Sequence, residues 1–171
     1  MLKRTIMASA VLVALVLPVT RAEAAAPPTT AGGYCVVHVT GHTTSGELQV
    51  SAPACYDTFA KSMSAEHVGA WGDGASAKAQ ALSVTTFTLG THCDGYNLAA
   101  PCTSVVGDSC TGGWLNTSAA WNNRISSTSN GCPTIGHFDL ANLGGASVST
   151  VGAGAHNLTT FNNRTTSLQY S

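Results

Sequence analysis

Charged residues are scarce in this 171-residue chain, at 9%, and aromatic residues make up only 6%. Beyond Ala24 four cations remain, Lys61, Lys78, Arg124 and Arg164, against seven carboxylates, a formal charge of −3. Four scattered cations cannot build the basic footprint that phosphate backbones require, so a nucleic-acid partner is excluded. After residues 5–20 there is no second apolar run long enough to span a bilayer, and no membrane partner is expected. No paired CxxC stands at zinc spacing from a histidine, and Cys93 beside His92 is a lone dipeptide, which argues against zinc ligation by the cysteines. Strong helix formers give way to Gly, Ser, Thr and Asn, residues that favour turns, caps and strands. The expected fold class is therefore all-β.

The N-terminus reads as an export signal: Lys3-Arg4, the apolar run 5–20 (TIMASAVLVALVLPVT), then the small-residue series Ala22-Glu23-Ala24. Cleavage is expected after residue 24, which makes the protein secreted and extracellular. Six cysteines follow, Cys35, Cys55, Cys93, Cys102, Cys110 and Cys132, an even set that reads as three disulfides in an oxidising compartment. Fifteen pairings are possible. Sequence neighbours suggest Cys35–Cys55, Cys93–Cys102 and Cys110–Cys132, because each closes a loop inside one structural unit.

Residues 25–33 are a Pro/Gly-rich flexible leader. A small N-terminal segment spans 34–68: a β-branched run (34–40), an alternating run (46–51) with a hairpin around Thr43 to Gly46, and a short helix. That helix is expected to start at Ser51, with Pro53 two residues on, to align Tyr56, Phe59, Ala60 and Met63 on one face, and to end by Gly69. Residues 69–83, rich in Gly, Ala and Ser, read as a linker. From residue 84 every strong signal is strand and turn.

Residues 84–171 contain two copies of one unit. His92-Cys93-Asp94-Gly95-Tyr96-Asn97-Leu98-Ala99-Ala100 aligns without gaps on His137-Phe138-Asp139-Leu140-Ala141-Asn142-Leu143-Gly144-Gly145, an offset of 45. Trp121-Asn122-Asn123-Arg124-Ile125-Ser126-Ser127 recurs as Phe161-Asn162-Asn163-Arg164-Thr165-Thr166-Ser167, an offset of 40. One unit of about 40 residues cannot bury both faces of its strands, whereas two packed face to face share a core, so a sandwich is expected.

These residues resemble the βγ-crystallin domain of two Greek-key units, over about half of the chain. The family marker is an aromatic, four variable residues, an aromatic, one variable residue and Gly. Residues 138–145 (FDLANLGG) have that spacing, with Leu143 in the second aromatic place. In the first unit Cys93, Leu98 and Ala100 occupy the marker positions, and a Cys93–Cys102 bridge would hold that hairpin where Gly normally permits its backbone conformation.

The calcium-binding members share Asn/Asp-Asn/Asp-x-x-Ser/Thr-Ser, present here at 122–127 and 162–167. The resemblance implies Ca²⁺ sites in which Asn123 and Ser126, and likewise Asn163 and Thr166, supply side-chain oxygens beside the carbonyls of Arg124 and Arg164, with the two loops cross-connecting the sites. Ca²⁺ wants six to eight oxygens, and such loops offer amide, hydroxyl and backbone oxygens together. With no carboxylate and an Arg in each loop, affinity is expected at the weak end, roughly 10⁻⁵ to 10⁻³ M. The bland alternative is that Asn-Asn and Ser-Ser only make turns and cap strand ends.

Other strings are weaker. Gly107-Asp108-Ser109 with Gly112-Gly113 and the upstream Thr91-His92-Cys93 resembles serine-protease strings, but Cys110 and Thr111 interrupt the glycines and the spacing leaves no room for two barrels. His92 and His137 hold equivalent repeat positions, which favours a shared packing or hydrogen-bonding role over one catalytic centre. Trp114 and Trp121 fit core or loop anchoring. No enzyme activity is expected.

The resemblance extends to secreted actinobacterial proteins in which a Cys-bearing N-terminal segment precedes such a domain, commonly classed as peptidase inhibitors. It implies a monomer whose partner is an extracellular peptidase; a killer-toxin-like or cell-envelope-binding module is the alternative on the same fold.

Overall fold

The computed structural model describes residues 33–67 and 86–171. The expected signal peptide (1–24), nearly all of the leader and the linker (69–83) lie outside the described residues. Eleven strands and one α-helix are present among those described.

The first repeat supplies β4 (Phe87–Cys93), β5 (Cys102–Gly107), β6 (Gly113–Asn116) and β7 (Ser127–Asn130). The second supplies β8 (Thr134–Phe138), β9 (Ser147–Val151), β10 (Gly154–Asn157) and β11 (Ser167–Tyr170). They form an all-β sandwich of two sheets, and each repeat sends its third strand to the other's sheet. One sheet runs β10-β7-β4-β5, the other β6-β11-β8-β9. This exchange commits the two copies to one core, because neither sheet is complete without a strand from the other repeat. Leu89, Val105, Leu115, Ile125, Ile135, Leu158, Phe161, Leu168 and Tyr170 fill the space between the sheets. Burying such side chains is the dominant favourable term in folding.

The N-terminal segment is not a separate layer. Its β1 (Tyr34–His42) pairs parallel with β5 and so extends the first sheet. The expected hairpin forms: β2 (Leu48–Val50) pairs antiparallel with β1 across a turn in which Gly46 adopts φ +84°. That turn reaches the second sheet, where Trp114 of β6 donates its backbone N–H to the Gly46 carbonyl (3.1 Å) and its indole N–H to the Ser45 carbonyl (3.1 Å). Two sheets are thereby bridged along one open side of the sandwich.

The expected helix start at Ser51 needs correction. Ala54–Tyr56 is β3, antiparallel to β1 with Cys55 directly opposite Cys35, and the helix α1 covers Phe59–His67. Pairing with β1 and the Cys35–Cys55 disulfide outweigh the helical spacing of Tyr56. Thr58 caps the new start by accepting the Lys61 N–H (3.3 Å), and Asp57 pairs with Lys61 one turn on. The hydrogen bond from Lys61 also holds the Asp57 carboxyl below its usual value.

All three disulfides join the cysteines that sequence proximity suggested: Cys35–Cys55, Cys93–Cys102 and Cys110–Cys132. Among the described residues no helix is long and apolar enough to cross a membrane.

Candidate metal centre

Both Asn-Asn loops connect an exchanged strand (β6 or β10) to the last strand of its repeat (β7 or β11). Each opens with a tight turn whose Arg N–H bonds back to the aromatic carbonyl, Arg124 to Trp121 and Arg164 to Phe161, both at 3.2 Å. The next step requires left-handed backbone: Asn123 has φ +56° and Asn163 φ +54°. Asn is enriched at such positions because its short polar side chain tolerates them.

The loops cross. Asn123 donates its backbone N–H to the Thr165 carbonyl (2.9 Å), and Asn163 donates to the Ile125 carbonyl (3.0 Å). Their side chains repeat the exchange: the Ser126 hydroxyl donates to Asn163 Oδ1 (3.1 Å), and the Thr166 hydroxyl donates to Asn123 Oδ1 (3.3 Å). Each amide–hydroxyl pair named from the sequence is thus split and re-formed between loops, with Asn123 beside Thr166 and Asn163 beside Ser126.

The donor set can be tested against a calcium ion on these distances. Two neighbouring oxygens on one Ca²⁺, each at about 2.4 Å, stand about 3 Å apart. The two amide–hydroxyl pairs already have that separation. Within the second loop, Asn162 Oδ1 is buried without a hydrogen-bond partner, a further unused acceptor. Neutral oxygens of this kind fit a hard cation held weakly. Among the described residues no three His, Cys, Asp or Glu side chains group together as a metal site, so a carboxylate-rich or soft-metal centre is not what the loops offer.

The arginine side chains turn away from the crossing. Arg124 pairs with Asp94 and lies 5.9 Å from the Trp121 ring centroid; Arg164 pairs with Asp139 at 2.7 Å and lies 4.8 Å from that of Phe161. Both positive charges are compensated locally, leaving only the arginine carbonyls for ligation.

Three supports of the loops were not read from the sequence. Ser127 and Ser167, both fully buried, each clasp the opening hairpin of their own repeat: the Ser127 hydroxyl donates to the Gly95 carbonyl (2.6 Å) and accepts the Leu98 N–H (3.0 Å), and Ser167 does the same with Leu140 (2.7 Å) and Leu143 (3.0 Å). Asn157 exchanges two hydrogen bonds with Asn97, as Asn116 does with Asn142, so each exchanged strand is tied to the hairpin of the other repeat. Asp94 and Asp139 are the arginine partners. The signal for the aspartates is their equal place in the repeat; Asn116 and Asn157 escape an ungapped comparison because one residue fewer separates Asn157 from Phe161 than Asn116 from Trp121.

His92 and His137 meet across the core, one from each sheet, with ring centroids 5.8 Å apart. His92 is fully buried between Thr128 Oγ1 (3.0 Å) and the Tyr170 hydroxyl (2.9 Å). His137 contacts Thr165 Oγ1 at 3.4 Å, and its Nε2 has no partner. Burial holds His92 well below the usual imidazole value, with the His137 charge adding to it. Burial brings His137 down to about 4, helped by His156. Burial also raises the Tyr170 phenol above its usual value. Ser109 shares a hydrogen bond with Thr111 (2.9 Å), and among the described residues no hydrogen bond joins it to His92, whose ring nitrogens face Thr128 and Tyr170.

Comparison with protein-family models, with curated proteins and with solved structures finds no match for this chain.

Proposed function

We propose that the chain is an exported, Ca²⁺-binding module of the βγ-crystallin double Greek-key type that inhibits an extracellular peptidase. The observation that carries the calcium reading is the reciprocal crossing of the two loops, Asn123 with Thr166 and Asn163 with Ser126. It is the arrangement a pair of shared cation sites needs, and it recurs in both copies. The third-strand exchange supports the Greek-key reading. Asn123, Ser126, Asn163 and Thr166 would hold the ions with the carbonyls of Arg124 and Arg164. Bound Ca²⁺ would supply a non-covalent cross-link between the repeats.

The inhibitory role follows from the family resemblance and suits the frame. A surface preorganised by three disulfides loses little entropy on docking into a protease cleft.

Calorimetric titration of the oxidised protein with Ca²⁺, with melts in Ca²⁺ and in chelator, tests the first part. Wild type should bind weakly and gain about 2.7 kcal/mol at a hundredfold excess over Kd. Ser126→Ala with Thr166→Ala should lose both effects. An unresponsive wild type would reduce the loops to turns. A panel of metallo- and serine peptidases tests the second part, with stoichiometric inhibition expected; binding to cell-wall polymer without inhibition would replace it by the envelope-binding alternative.

A further inference from the structure

The two repeats leave equivalent recesses on opposite sides of the sandwich, each between a second strand, an exchanged third strand and the start of an Asn-Asn loop. Beside β9 and β10 the recess is open, about 490 Å³, with Ser149, Asn157, Thr159 and Thr160 among its walls. Its polar walls can hydrogen-bond water. Beside β5 and β6 the N-terminal hairpin and β3 roof the same place, leaving a cavity of about 430 Å³ whose walls are mainly apolar, with Val37, Val50, Val105, Leu115 and Trp121 among them and the polar Thr103 and Asn116 beside these. The roof is anchored at both margins, by β1 on β5 and by the Gly46 turn on β6, and is tied internally by Cys35–Cys55.

A void of this volume left dry forfeits packing with every wall, and apolar walls give water too few partners to repay its entry. The volume is ordinary for a small-molecule pocket, about 300–1,000 Å³. No charged side chain lines it. The three described cations, Lys61, Arg124 and Arg164, are each already paired with a carboxylate. Nothing at the cavity therefore selects an anionic head, whereas a flexible hydrocarbon chain can follow its walls. Exposed Val50 and Pro53 on the roof, with Ala119 and Ala120 opposite, mark the mouth.

We propose that this roofed cavity is a binding site for an uncharged medium-chain aliphatic molecule, whose chain lies between Val37, Val105 and Leu115 and whose polar end stays at the mouth by Val50 and Pro53. The site borders the first Asn-Asn loop at Trp121 and Ile125 but uses none of the side chains named for Ca²⁺, and it stands whether or not the calcium and peptidase readings hold.

The test uses the full oxidised chain, the neutral fluorophore N-phenyl-1-naphthylamine and 1-decanol as competitor. One probe molecule should bind per chain, decanol should displace it, and decanoate should compete about tenfold less well, lacking a cation to receive it. Val50→Trp, which plugs the mouth, should weaken probe binding about tenfold or more, while Val151→Trp beside the open recess should leave it unchanged. A second readout on unmodified protein is methyl NMR, where decanol should shift Val37, Val105 and Leu115. No probe binding, equal effects of the two Trp variants, or shifts confined to Met63, which with Phe59 and Tyr34 lines a separate groove beside α1, would overturn the proposal.

Discussion

The two repeats solve the same problem, holding a hairpin over the last strand of the unit, by different means. Their tips are superimposable in conformation: Asn97 and Leu98 lie at φ +56° and +58°, Asn142 and Leu143 at +57° and +59°. They part where the hairpin closes. In the second repeat Gly145 closes it at φ +77°, and a Cβ there would collide with Asp139 Oδ1. In the first repeat Ala100 takes that place outside the left-handed region, and the Cys93–Cys102 bridge spans directly opposed residues. One copy depends on a backbone freedom and the other on a covalent clamp. The same tip geometry can therefore form without the glycine that closes it in the other copy, provided another constraint closes the loop.

The largest expected effect concerns where the repeats meet. Unfolded imidazoles take protons near 6.5, whereas burial holds the folded His137 at about 4 and His92 well below the usual value. Below pH 6.5 the unfolded chain binds more protons, so stability is complete above that pH and falls as pH drops toward 4. His137 alone accounts for a loss of about 3 kcal/mol over this window, and His92 adds in the same direction. Urea midpoints measured from pH 7 to 4.5 should fall steeply, and His137→Gln should flatten the limb by one proton. Constant midpoints would show that the pair is not held neutral.

Next comes the closure itself. Cys93→Ala with Cys102→Ala should destabilise by about 3 kcal/mol, the loop-closure value for a bridge of this span. Gly145→Ala should cost about 2 kcal/mol through positive-φ strain and displacement of Asp139. Chemical denaturation of both variants checks this; a neutral Gly145→Ala would remove the contrast.

Smaller and sharper is the serine pair. Ser167→Ala should cost about 1–3 kcal/mol, because it removes two part-buried hydrogen bonds, from the Leu143 N–H and to the Leu140 carbonyl. Ser127→Ala should cost less, since the disulfide still holds its hairpin, and should rise to the Ser167 value in the Cys93→Ala, Cys102→Ala background. A double-mutant cycle showing strict additivity would break the proposed division of labour.

Smallest are the arginines. Arg124→Ala and Arg164→Ala should each change stability by no more than about 1 kcal/mol, as half-exposed ion pairs with ring contacts do. Thermal melts at low and high salt would reveal a larger role as a salt-sensitive loss.

Much of the site was legible because the repeat marks it twice: Asn123, Ser126, Asn163 and Thr166 are the residues that meet at the crossing. What the spacing could not show is which Asn meets which hydroxyl, since that depends on the third-strand exchange. The hydrogen-bonding role read for His92 and His137 from their equal places in the repeat is matched by their contacts with Thr128, Tyr170 and Thr165. Their mutual approach was invisible, since residues 45 apart in sequence share no local pattern. The helix start failed for a related reason: Tyr56 has helical spacing to Phe59 and Met63, but its partner is Tyr34 on β1, 22 residues away.

By itself the sequence determined the all-β class and the twofold repeat and suggested the three short-range disulfides, because β-branched runs, turn residues and loop closures act over a few to about twenty residues. Only the tertiary structure decided that β6 and β10 trade sheets, that β1 lies parallel on β5, and that a hairpin roofs one recess and leaves its twin open. Those choices turn on which distant surfaces bury one another best, and burial is a property of the assembled chain, not of any segment within it.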